Sequence, residues 1–167
     1  MNELESNLAA QQSRVMICIA TAKELCAYAF RLNYEIGRTY AVRLVRGRKM
    51  RTVSGLFDEF AASFQFPCYF GENWSAFDEC LADLEWLPAV GYVLVVVNAP
   101  DVLCEEPTDE FATFTRIVKT ISDEWLRVHQ KAFLVLFQCD ERDCDQLRRR
   151  ADRPIEVVRL GDLPAFT

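Results

Sequence analysis

P-C-Y-F-G-E-N-W-S-A-F-D-E-C-L-A-D-L-E-W, Pro67 to Trp86, holds a loop signal, a helix start and a patterned acidic surface in one stretch. Pro67 cannot continue a helix, and Gly71 permits a turn that residues with a Cβ resist, so residues 66–72 read as a tight exposed loop showing Tyr69 and Phe70. Asn73 is a good N-cap, because its side-chain oxygen can accept from the free amides of a first helical turn. Trp74, Phe77, Leu81 and Leu84 then repeat at helical spacing and are expected to face a core, with Trp86-Leu87-Pro88 closing the helix. Ser75, Asp78, Glu79 and Asp83 fall on the opposite side, where Ser75, Glu79 and Asp83 follow one another at i, i+4 and i+8.

The plain reading is an amphipathic helix with a solvated polar face. Charge balance asks for more. From Thr52 to Thr115 there are twelve Asp and Glu and no Lys or Arg, so this segment carries −12 while the remainder carries +6 against a whole-chain net of −6. Ordinary solvated faces mix the two signs, and segregation of this kind costs stability through self-repulsion, so a basic partner is its economical explanation.

The same residues carry a family resemblance. Phe66 to Pro88 resembles the signature of the barstar family, small inhibitors of barnase-type ribonucleases, with agreement at Phe66, Pro67, Tyr69, Phe70, Gly71, Asn73, Trp74, Ala76, Cys80 and Leu81. Element order from about Tyr40 to Gln138 fits as well. The resemblance implies an α/β, barstar-like fold: a small, mainly parallel sheet covered by helices, here with an added N-terminal strand-helix unit and a C-terminal helix-strand. It implies an inhibitor that blocks a ribonuclease's basic active site with an acidic helix and its adjoining loop. Tyr69 would be the aromatic contact, Gly71 and Asn73 would shape the loop, Trp74 would be partly core and partly rim, and Glu79 would hold the central carboxylate position. Two residues depart from the pattern. Ser75 stands where the first carboxylate of the helix is usual, and Glu79 is one methylene longer than the expected Asp, while Asp78 can supply a charge from the adjacent angle. These departures keep open a second expectation, a barstar-fold binding module or toxin-immunity protein for a different basic partner.

An enzyme is not expected. The chain has no G-x-G-x-x-G, no Walker loop and no Ser-His arrangement, and Asp78, Glu79 and Asp83 lie along one exposed helix where nothing forces their pKa values apart. No cofactor is expected either. Seven cysteines (18, 26, 68, 80, 104, 139, 144), without a C-x-x-C pair, read as reduced and mostly buried thiols. Cys139 and Cys144 make a poor zinc site when His129 is the single histidine, so no metal is expected, and His129 reads as a surface residue. No apolar run approaches the roughly 20 residues that span a bilayer, and the acidic, polar N-terminus does not read as a signal segment, so the expected setting is the cytoplasm with no membrane partner.

At 167 residues and 51% hydrophobic composition the chain can bury a real core. Residues 1–38 read as an N-terminal extension packed on that core: a polar start that frays or forms a short helix, a strand over 14–20, and a helix capped by Thr21 to about Asn33. Residues 39–167 read as one barstar-like domain. In it come a strand from Tyr40 to Val45, a helix begun by Thr52 or Ser54 and running to about Phe64, the acidic helix, and a strand from Tyr92 to Val97. A long helix capped by Thr108 to about Val128, a strand from Phe133 to Phe137, a short helix over 140–150 and a strand over 155–160 follow. The fully apolar Tyr92 to Val97 belongs in the middle of a parallel sheet. Arg38, Arg43, Arg46, Arg48, Lys49 and Arg51 crowd around the first of these strands; lacking interleaved aromatics beyond Tyr40, they are expected to balance the acidic half rather than bind nucleic acid. Arg148, Arg149, Arg150 and Arg153 read as a solvated helix end. Oligomeric state is not legible.

Overall fold

A computed structural model describes residues 15–164. The elements run β1 (Val15–Ile19), α1 (Ala22–Ile36), β2 (Tyr40–Arg46), α2 (Val53–Phe64), α3 (Trp74–Asp83), β3 (Gly91–Val97), α4 (Thr108–His129), β4 (Phe133–Cys139), α5 (Cys144–Arg150) and β5 (Glu156–Arg159). The five strands form one sheet in the order β2-β3-β4-β1-β5, and every pairing is parallel. This is the mixed α/β architecture expected of a barstar-like chain.

Why β3 and β4 are apolar on both faces follows from their place. Each is hydrogen-bonded on both edges and buried along its whole length, with helices above and below. One face is covered by α2, α3, α4 and α5, whose Phe57, Phe60, Phe77, Phe111, Phe114 and Leu147 join Val15, Leu94 and Val135 in a single cluster. The other face is covered by α1 through Leu25, Tyr28, Leu32 and Ile36, which meet Met16, Val93 and Leu134. Burying each large side chain of this kind contributes about 1.5–3 kcal/mol. Edge-on ring pairs such as Phe60–Phe77, with centroids 4.9 Å apart, add direction to that packing.

The strand of the N-terminal unit lies inside the sheet, with β4 on one edge and β5 on the other. The polar start of the chain and Arg14 fall outside the described residues. Thr21 caps α1 through a full capping box with Glu24, and the helix runs to Ile36, past Asn33, because Leu32 and Ile36 continue its buried stripe.

Several ends differ from their sequence reading. The acidic helix stops at Asp83, not at Trp86: Leu84 takes a left-handed φ of 48°, which lets its side chain stay in the core at 1% exposure. Trp125 of α4 then satisfies the Leu81 carbonyl, donating through its indole at 2.9 Å. Thr108 is the first residue of α4 rather than its cap; Pro107 stands at the cap and makes no side-chain hydrogen bond there. Arg150 is not a solvated helix end. Its guanidinium lies 4.2 Å from the centroid of the Phe111 ring and donates to the carbonyls of Pro100 (2.9 Å) and Val102 (2.5 Å), fastening α5 to the loop after β3. Gln138, 3% exposed, makes a second cross-link by donating to the Ala20 carbonyl and accepting from the Asn98 amide, each at 2.7 Å.

Candidate protein-binding site

The loop before α3 is built by its neighbours rather than by its glycine. Gly71 does not take a positive φ; the left-handed residue is Glu72, at 48°. What Gly71 supplies is close approach: its carbonyl accepts from Asn73 Nδ2 at 3.0 Å, and a Cβ there would stand 3.0 Å from that same nitrogen. Asn73 uses both ends of its amide, because Oδ1 accepts from the Ala76 amide at 3.0 Å and caps α3 as its sequence position demands. Phe70 is anchored edge-on to Phe57 and Phe66, at 5.6 and 5.0 Å between centroids. Its neighbour Tyr69 is left 76% exposed.

Trp74, the first residue of α3, is half-buried against Phe57 and Phe77 and donates its indole N–H to Glu110 Oε2 at 2.8 Å. Phe77, Leu81 and Leu84 are fully inside. Ser75, Glu79 and Asp83 lie exposed along one side of the helix, beside Glu72. Tyr69, Gly71, Asn73, Ser75, Glu79 and Asp83 are thus all exposed, on one loop and the helix it leads into, with Trp74 half-buried where the two meet.

Asp78 departs from that row. It is half-buried, and its carboxyl is held above the ordinary range first by burial, then by Glu124 of α4 and by Glu79, with Arg116 of α4 acting in the opposite direction. The carboxylates of this helix thus do differ in environment, contrary to the sequence reading, because α4 lies against one flank of α3 and water covers the other. Glu124, Arg116 and Glu110 are the residues that reading left out of the site. Periodicity could not find them, since nothing local says which side of α4 meets α3.

Four other carboxylates of the acidic segment have partners within the chain, while Asp58, Glu85 and Asp109 are exposed and, among the described residues, make no ion pair. Glu59 takes a two-pronged grip from Arg46, at 2.7 and 2.9 Å, and also accepts from the Arg46 amide at 3.0 Å. Glu105 pairs with Arg51 at 2.7 Å, and Asp101 lies within 4 Å of both Arg48 and Arg51. Glu106 accepts from the Val53 amide at 2.9 Å and so caps the start of α2. The basic cluster around β2 balances this part of the acidic half. Among the described residues, Glu72, Glu79 and Asp83 make no ion pair.

A profile of the family described as Barstar (barnase inhibitor) matches residues 40–138, more than half of the chain. The chain belongs to the barstar family. The barstar match spans β2, α2, α3, β3, α4 and β4, which means that β1, α1, α5 and β5 extend the sheet and its helical cover beyond it. Members of this family are inhibitors whose partner is a ribonuclease. No curated protein matches the chain. Among solved structures, a chain in "Structure of Drosophila ORC bound to AT-rich DNA and Cdc6" is similar at 14% identity and a TM-score of 0.48, over 85% of this chain and 45% of that one. The chain thus spans less than half of that protein, and at this score the likeness carries no argument.

All seven cysteines are free; Cys18, Cys80, Cys139 and Cys144 are buried, Cys26 is partly buried, and Cys68 and Cys104 are exposed. Burial pushes the Cys18 thiol up to about 11 and Cys139 up to about 12, so neither is a thiolate at neutral pH. His129 is exposed, its ring 4.4 Å from that of Trp125. Among the described residues no group of three or more His, Cys, Asp or Glu is placed to hold a metal ion, and no helix is long and apolar enough to cross a membrane.

Proposed function

We propose that this protein inhibits a ribonuclease by laying α3 and the loop before it into a basic active site. The observation that carries the reading is where unpaired charge is concentrated on a rigid element: Glu59, Asp101, Glu105 and Glu106 have partners within the chain, whereas Glu79 and Asp83 stand one turn apart on the exposed side of α3 without a cation. A nuclease pocket must be positive, since it binds phosphate and stabilises its developing charge. Carboxylates on a rigid helix can stand in for those phosphates and pair with Arg, Lys and His of the enzyme. Tyr69, exposed on an anchored loop, can fill the neighbouring base site. Gly71 and Asn73 hold the loop, Trp74 forms the edge of the surface, Ser75 and Glu79 lie across its middle, and Asp78 and Asp83 extend its charge. No reaction on the inhibitor's side is involved. Complementary fields speed the encounter, which suits a protein that protects the cell making the nuclease.

A second reading keeps the surface and changes the partner. Ser75 leaves the first turn of α3 without a carboxylate, and Asp78 is drawn toward α4, so the charge lies toward the end of the helix; a basic protein other than a barnase-type ribonuclease would match that displacement. Titration of the purified protein into a barnase-type ribonuclease assay, at low and at high salt, separates the two. Stoichiometric inhibition that weakens as salt rises is the expected result. No inhibition at either salt would overturn the first reading and leave the second.

A further inference from the structure

We infer that Glu110 is a positioning residue for the partner-binding loop, acting through the indole of Trp74; the inference rests on the inhibitory surface proposed above. Glu110 is the third residue of α4, the place from which a glutamate ordinarily reaches back to the amide of the N-cap. Here the N-cap is Pro107, which has no N–H, so that reciprocal bond cannot form. The carboxylate is free to turn outward, and it accepts from Trp74 Nε1 at 2.8 Å.

That bond joins two helix starts that nothing in their sequences ties together. Trp74 is the residue immediately after the cap of α3, where the loop meets the helix. Phe57 packs edge-on against Trp74 on one side, at 5.1 Å, and against Phe70 on the other, at 5.6 Å. Fixing the indole therefore fixes the wall on which Phe70 rests, and Phe70 is the chain neighbour of exposed Tyr69. A loop held in one arrangement before binding loses less entropy on binding. Glu110 contributes this order from outside the row of exposed carboxylates, half-buried and committed to an internal donor.

Two measurements test the role. Amide hydrogen exchange on the free protein is expected to quicken on the order of tenfold over residues 68–73 in Glu110→Ala, and to return most of the way in Glu110→Gln, whose carbonyl oxygen still accepts from the indole. Inhibition of a barnase-type ribonuclease is expected to weaken by about tenfold in Glu110→Ala, to recover in Glu110→Gln, and to show no further loss when Glu110→Ala is added to Trp74→Phe. A loss that persists in the Trp74→Phe background would mean that Glu110 meets the partner directly, and unchanged exchange over 68–73 would mean that it holds nothing; either result overturns the inference. Because exchange needs no partner, it decides the positioning role even where the ribonuclease is not inhibited at all.

Discussion

Two acidic regions of this molecule carry similar charge and meet opposite fates. The loop between β3 and α4 places Asp101 and Glu105 against Arg48 and Arg51, spends Glu106 on the α2 cap, and is fastened from beneath by Arg150. The exposed side of α3 places Glu79 and Asp83 one turn apart with no cation between them. Like charges at that spacing oppose the helix, and Asp83 sits in the last turn, where the helix dipole disfavours an anion. The difference teaches that net charge alone does not mark an interface. A carboxylate with a cation inside the chain is structure, and one that weakens its own helix without local compensation is available to a partner.

Four substitutions can break or sharpen that contrast. The largest effect is expected at the fastened loop, in Arg150→Ala. Removing the guanidinium orphans the carbonyls of Pro100 and Val102 and uncovers the Phe111 ring, which should cost about 3 kcal/mol of unfolding free energy in a denaturant titration while ribonuclease inhibition is retained. Next comes the free carboxylate. Glu79→Ala should weaken inhibition about thirtyfold or more with the thermal midpoint unchanged, whereas Glu59→Ala should do the reverse, lowering the midpoint by about 2–4 °C and leaving inhibition intact. Equal effects of the two on inhibition would contradict the proposed surface. At Glu106 the change should be smaller still, about 0.5 kcal/mol of stability lost in Glu106→Ala with its α2 cap, again without effect on binding.

The smallest effect separates Asp78 from Glu59 by pH. Arg46 holds the Glu59 carboxyl below its ordinary value of 4.5, so its contribution to stability is present above that pH and fades as acid titrates the folded group. Asp78 has the opposite sign. Its carboxyl is raised above the ordinary 3.8 by burial and by Glu124, so the charged form opposes folding at neutral pH and the opposition fades as pH falls through its folded value. Asp78→Asn should therefore be slightly more stable than the parent at pH 7 and Glu59→Gln less stable; the Asp78 difference should fade as pH falls through its raised value and be largely gone by 3.8, whereas the Glu59 difference should fade only below 4.5, as thermal melts across that range would show. A destabilised Asp78→Asn at pH 7 would place Asp78 among the paired carboxylates instead.

Much of the fold was legible because its signals are short-range. Caps at Thr21, Thr52 and Asn73 act within three residues of themselves, and the buried stripes of α2 and α4 repeat every three or four. The unbroken apolar runs of β3 and β4 announced interior parallel strands. Legibility failed where a contact crosses the chain. Arg150 read as solvated because Pro100 and Val102 are 50 and 48 residues away, and Asp78 read as exposed because α4 had no place yet. Gly71 misled for a different reason: a glycine in a loop suggests a positive φ, but here Glu72 takes it and Gly71 is needed for the room beside Asn73.

The sequence by itself determined the order of strands and helices, the capped start of α3, the family to which residues 40–138 belong, and the side chains from Tyr69 to Asp83 that make up the proposed site. Only the tertiary structure decided which of those side chains are free. The pairing of Glu105 with Arg51 spans 54 residues, and the grip of Glu110 on Trp74 spans 36. Whether a carboxylate is spent or available depends on what packing brings within hydrogen-bond reach of it, and packing is set by the whole sheet and its helices at once, not by the residues on either side.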